Sequence, residues 1–204
     1  MSCDCEIDVK DNEQKSVLYI VLGINSAMFV IEMILGLIAE STALIADSLD
    51  MLADATVYAI SLYAVGRATH HKVTAATASG VFQILLGLGV VAEVVRRFIA
   101  GSEPESLFMI GVGLAALVAN SICLMLIARH RDGEIHMRAS WIFSRNDVLA
   151  NVGVIVAGVL VGVLHSPLPD LVIGAGIAVL VTSGGLRILR EANDTKRSVT
   201  TEAK

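Results

Sequence analysis

Charge and aromatics are both scarce in this chain. Charged residues make up 17% of its 204 residues and aromatics 4%, where a soluble domain carries about a quarter charged residues. Three cysteines are too few for a disulfide framework, and three prolines leave long helices uninterrupted. The formal net charge of −5 gives no basic field for nucleic acid, which is excluded as a partner. No Walker loop, nucleotide site or sign of covalent catalysis occurs, so the chain does not read as an enzyme and ATP drive is not indicated. Residues 1–15 are polar and acidic, without the basic region and short apolar core of a secretory signal.

What is abundant is apolar length. Hydrophobic residues reach 55% and the mean hydropathy is +0.73. The runs are long enough to cross a bilayer, which takes roughly 20 residues per helix. The pattern predicts an all-α membrane protein with six transmembrane helices at 16–38, 42–65, 74–99, 106–128, 137–164 and 169–188. A polar N-terminal arm, 1–15, precedes the six-helix domain at 16–190. A short polar tail, 191–204, is expected to be frayed. Basic residues mark one side of the membrane: Arg67 and Lys72, then Arg129, Arg131 and Arg138, then Arg187, Arg190, Lys196 and Arg197. The positive-inside rule therefore places both termini in the cytoplasm; the expected location is a bacterial inner membrane. Arg96 and Arg97 are the exception, with Glu93 at helical spacing to pair with them.

Acidic residues occur where lipid should forbid them. Asp50 and Asp54 lie one helical turn apart in the second apolar run, and Asp147 and Asn151 one turn apart in the fifth. A carboxylate at the bilayer centre costs about 2.5–3.5 kcal/mol even on insertion scales. Counting residues from the helix ends puts Asp54 and Asp147 at one depth and Asp50 and Asn151 at another, about 6 Å apart. Antiparallel pairing would close these four oxygen-bearing side chains around one point. Carboxylates and an amide carbonyl are ligands for a divalent cation, and protons compete for the same oxygens. That competition is the physical basis of exchange transport. Asp47, one turn outward of Asp50, is an accessory metal candidate or lines a water-filled vestibule. Ser144 and Asn146 are substitutes for Asn151, because sequence does not fix the rotation of the fifth helix. Glu32 reads as a packing or proton-relay group. Asn25 and Asn120 read equally well as cross-links between helices.

The run from Glu32 through Ser41-Thr42-Ala43-Leu44-Ile45-Ala46-Asp47-Ser48 to Asp50-x-x-x-Asp54 resembles the first two helices of cation diffusion facilitators. The likeness continues through Glu93-x-x-Arg96-Arg97, Asn120, Asp147-Val148-Leu149-Ala150-Asn151 and Asp170. It implies a transport site at [His/Asp]-x-x-x-Asp on helices two and five, of which Asp50, Asp54 and Asp147 match three positions. It also implies a secondary transporter, a homodimer in the bilayer, that exports a divalent transition-metal ion in exchange for protons. Zinc or cadmium is the expected cargo, with no cofactor beyond the transported ion. The first helix-five position holds Phe143, which cannot ligate a metal, and Asn151 or a water is its replacement. Three aspartates and an amide form a hard donor set that also suits manganese, iron or cobalt. The chain resembles the short branch of the family, without a cytoplasmic domain after helix six.

Accessory metal groups are Cys3 and Cys5, whose thiols suit soft ions, and a set of histidines, His70, His71, His130 and His136, expected on the same side. Gly158-x-x-x-Gly162 permits close helix packing. The rival readings are a passive cation channel, which needs weak sites spread along a pore, and a membrane metal sensor that moves no ions.

Overall fold

A computed structural model describes residues 3–64, 69–128 and 135–202, and every regular element among them is helical. The order is α1 (Cys3–Ile38), α2 (Thr42–Ala64), α3 (Thr69–Ala100), α4 (Ser106–Ala128), α5 (Ile135–Leu164) and α6 (Leu168–Glu202). Five of these, all but α2, are long and apolar enough to cross a membrane. Helix α2 has 23 residues, about 34 Å of rise, and falls short only in composition, because it carries Asp47, Asp50 and Asp54.

Its place in the bundle explains why it tolerates them. The helices pair closely as α1 with α2, α3 with α6, and α4 with α5, and α2 alone touches all five others. The central helix shows little surface to lipid. Alanines recur in its core: Ala43, Ala46 and Ala53 of α2 share a cluster with Ala150 and Ala157 of α5 and Ala178 of α6, filled out by Met109, Val154 and Val181. The outward faces of the other helices are apolar, with Ile34, Leu85, Phe98, Leu107, Val163 and Val179 all exposed. Asn25, Glu32, Asp47, Asp54, Asn120, Asp147 and Asn151 are buried. Polar groups inside and an apolar girdle outside are the arrangement of an integral membrane protein.

Glycine sets the spacing of the α3–α6 pair. A Cβ added to Gly185 would lie 2.7 Å from the Gly80 carbonyl, and one added to Gly80 would lie 2.9 Å from the Gly185 carbonyl. Here the two backbones are in contact. Gly158 and Gly162 of α5 do the same work inside the chain. They face Met109 and Ser106 of α4, and the Ser106 hydroxyl donates to the Gly158 carbonyl at 2.8 Å.

The end of the bundle opposite Cys3 and Glu202 is tied by polar contacts. Glu40, at φ 48, closes α1 in the left-handed region, with the Ser41 N–H returning to the Gly36 carbonyl at 3.0 Å. Arg97 is buried between Glu93 (2.6 Å) and the Glu40 carbonyl. Arg96 also reaches Glu93, at 2.7 Å. The pairing expected from the spacing of Glu93 and the two arginines is present.

Several boundaries differ from the sequence expectation: α3 begins at Thr69 and α5 at Ile135, and the two largest shifts lie toward the chain ends. Helix α1 begins at Cys3, well before residue 16, and α6 runs to Glu202 through the tail that was expected to fray. Neither extension contains glycine or proline to stop a helix that the apolar segment has nucleated. In α6 the Arg187–Glu191 pair (3.5 Å) adds local support.

Candidate metal site

Asp50, Asp54 and Asp147 each offer a carboxylate oxygen, and these oxygens lie within 4.8 Å of one another. Asp50 and Asp54 come from successive turns of α2, and Asp147 comes from α5. Asp54 is 2% exposed and Asp147 5%. Asp50 is less enclosed and lines a cavity of about 80 Å³ with Asp147, Asn146 and Gln83. Asp147 leaves Oδ2 without a donor among the described residues. Three carboxylates this close repel one another, so a cation, or protons in its place, must bring them together. Their hard oxygen set accepts a divalent ion.

Asn151 does not join them directly. Its Nδ2 donates to Asp47 Oδ2 at 2.6 Å, and its Oδ1 accepts from Asn120 Nδ2 at 2.9 Å. Both ends of the amide are engaged in a second, adjoining network. Depth counting pairs Asn151 with Asp50; the crossing of α2 and α5 carries it one turn farther, to Asp47. Beside that network, the Glu32 carboxyl of α1 lies close to that of Asp47. Glu32 is fully buried, and neither of its oxygens meets a donor among the described residues. Asn25 lies apart from this network, with its Nδ2 on the Val21 carbonyl at 2.9 Å and on Cys123 Sγ of α4 at 3.9 Å, a contact between α1 and α4. Ser144 is buried with its hydroxyl unpartnered among the described residues.

Two further side chains reach the site without belonging to a motif. The Tyr58 hydroxyl donates to Asp54 Oδ2 at 3.4 Å, continuing the i, i+4 series Asp50, Asp54, Tyr58. Gln83 is the lone amide in the apolar run of α3. Those are the sequence signals that mark them. Among the accessory candidates, His71 is exposed. The side chains of Cys3, Cys5, His70, His130, His136 and Phe143 lie outside the described residues, as do Arg67, Arg129 and Arg131.

Asp170 fixes the far end of α2. Its carboxylate accepts from the Ser41 hydroxyl at 2.6 Å and from the backbone N–H of Thr42 and Ala43 at 2.7 and 3.0 Å. Ser41 in turn caps α2 by accepting the Leu44 N–H at 3.1 Å. The carboxylate thus sits at the positive end of α2, within the first turn of α6.

The chain is 26% identical over 192 residues to the cadmium, cobalt and zinc/H(+)-K(+) antiporter of Bacillus velezensis, covering 87% of this chain and 61% of that protein. It is 23% identical over 198 residues to the zinc transporter ZitB of Escherichia coli, covering 90% and 62%. The vacuolar zinc transporter ZRC1 of Saccharomyces cerevisiae is 28% identical over 129 residues, covering 56% and 29%. The chain therefore spans about three fifths of the length of the bacterial relatives it matches. The family model described as the cation efflux transmembrane domain matches residues 18–194, which takes in every buried acidic residue described above. With that match and its apolar-girdled six-helix bundle, the chain belongs to the cation efflux family of integral membrane proteins.

Proposed function

We propose that this chain exports a divalent transition-metal cation from the cytoplasm in exchange for protons, with Asp50, Asp54 and Asp147 as the ligands. The observation that carries the reading is the convergence of three carboxylate oxygens from two helices within 4.8 Å, inside the membrane domain. Zinc and cadmium are the first candidates, because relatives bear those names. The all-oxygen donor set keeps manganese, iron and cobalt as alternatives. Both termini lie in the cytoplasm in this reading, and the protein works as a homodimer in a bacterial inner membrane.

A cavity borders the acidic cluster. The cavity reaches Asp50 and Asp147 from the α3–α6 side, while Ser41 to Ser48 of α2 are all buried. Acidic groups gathered at one point suit alternating access, in which helices rock about a fixed site, better than a pore, which needs weak sites spread along its length. Flux of zinc, cadmium and manganese into proteoliposomes tests the proposal. Asp54→Ala and Asp147→Ala are each expected to abolish flux while the protein stays inserted and monodisperse. Near-normal flux in either variant refutes the assignment.

A further inference from the structure

The cavity beside the three aspartates has lining residues that none of the acidic motifs supplies. Asp50 of α2 and Asn146 and Asp147 of α5 line it together with Gln83 of α3 and Gly184 and Arg187 of α6. Gln83 is 2% exposed, and its Oε1 meets no donor among the described residues. A buried amide carbonyl without a donor is unfavourable in an apolar helix pair unless something else satisfies it. Here it lines a cavity that two carboxylates also line. Arg187 stands at the rim, its side chain 58% exposed and turned to Glu191 at 3.5 Å. Its charge is thus directed toward solvent and its acidic neighbour.

Gly184 shows that room has been made for the amide. A Cβ added there would lie 3.2 Å from Gln83 Nε2 and 3.5 Å from Oε1, tighter than or at the edge of ordinary contact. A larger residue at 184 would displace the Gln83 side chain. The space is kept for a polar group that makes no hydrogen bond through its oxygen within the described protein.

We propose that Gln83 is a specificity-determining oxygen donor on the cation's route, presenting its amide carbonyl to the ion, or to an ion-bound water, next to Asp50 and Asp147. The proposal rests on the transport reading above and adds to it the α3–α6 wall. A neutral carbonyl adds a hard donor without adding charge. It therefore favours hard ions such as manganese over soft ions such as cadmium without deepening the repulsion among the carboxylates.

The test uses the purified full chain, with zinc, cadmium and manganese titrated singly by calorimetry and their fluxes measured in proteoliposomes. Gln83→Leu is expected to weaken binding on the order of tenfold, in the range seen when groups supporting a metal site are removed. Gln83→Met fills nearly the same volume and replaces the carbonyl with a thioether. It is expected to fold like the parent and to shift the manganese-to-cadmium affinity ratio toward cadmium. Gly184→Ala is expected to reproduce part of the Gln83→Leu loss by displacing the amide. A merely structural role would not move the ratio. An unchanged ratio in Gln83→Met overturns the proposal even where Gln83→Leu fails to fold. The underlying reading fails separately: the parent chain would then bind no metal, or Asp54→Ala would bind it as the parent does.

Discussion

Asp170 of α6 holds the first turn of α2 through Thr42, accepting its backbone N–H at 2.7 Å. The bond joins the N-terminus of the helix that carries Asp47, Asp50 and Asp54 to the start of another. Asp170 is fully buried and serves the Ser41 hydroxyl and the Ala43 N–H as well, so its removal orphans three donors at once. Asp170→Ala is expected to lower stability by about 1–2 kcal/mol, the upper range for a lost helix cap. Flux should fall as the α2 aspartates lose their register. Thermal unfolding in detergent measures the first effect and vesicle flux the second; an unchanged melting temperature contradicts the anchoring role.

Close α3–α6 contact gives a paired glycine test. Gly185→Ala puts a methyl group 2.7 Å from the Gly80 carbonyl, where backbone has to move. It is expected to destabilise by about 1–3 kcal/mol, as overpacking does. Gly176, on the same helix, has nothing within 4 Å of an added Cβ. Gly176→Ala is expected to be neutral, or to stabilise by about 0.5–1 kcal/mol through the helix propensity of alanine. Equal melting temperatures for the two variants would show that α3 and α6 do not pack at this distance.

Asn151 and Asp147 lie one turn apart but occupy different networks, and substitution can separate them. Asn151→Ala removes the donor to Asp47 and the acceptor for Asn120. The expected cost is stability, about 1–3 kcal/mol for buried groups left unsatisfied, with metal affinity changed only a few-fold. Asp147→Ala is expected to do the reverse, sparing stability and abolishing binding. Should Asn151→Ala lose as much affinity as Asp147→Ala, Asn151 is itself a ligand.

Much of this site was legible before the fold. Asp54 and Asp147 were matched by counting turns along antiparallel helices, and the structure brings their oxygens together with that of Asp50. Helix α4 was bounded at both ends as found, because Ser106 follows a loop with Pro104 and Gly101 and an apolar run ends at Ala128. Rotation and crossing angle were not legible. They send Asn151 to Asp47 instead of Asp50 and turn Gln83 inward, and both depend on contacts such as Gly80 with Gly185 that no single helix encodes. The helical tail was missed for another reason. Its polarity reads as disorder, while its lack of glycine and proline lets the helix continue.

Proton competition has a definite sign. Only the deprotonated carboxylate coordinates metal well, so binding releases protons wherever the empty site holds them. Apparent metal affinity is expected to fall as the medium is acidified. Calorimetry in buffers of different ionisation heat should show proton release on binding. Affinity that is flat between mildly acidic and mildly alkaline pH would remove the proton from the mechanism.

The central claim joins these elements: one set of three aspartates carries metal one way and protons the other. The direct measurement is simultaneous recording of metal and proton flux in proteoliposomes, with a metal dye and a pH dye in the same lumen. The expected result is metal accumulation driven by an acid-inside gradient. Proton efflux should accelerate on metal addition, and both should be lost together in Asp54→Ala and in Asp147→Ala. Metal entry that ignores the gradient and persists in those variants would contradict the account.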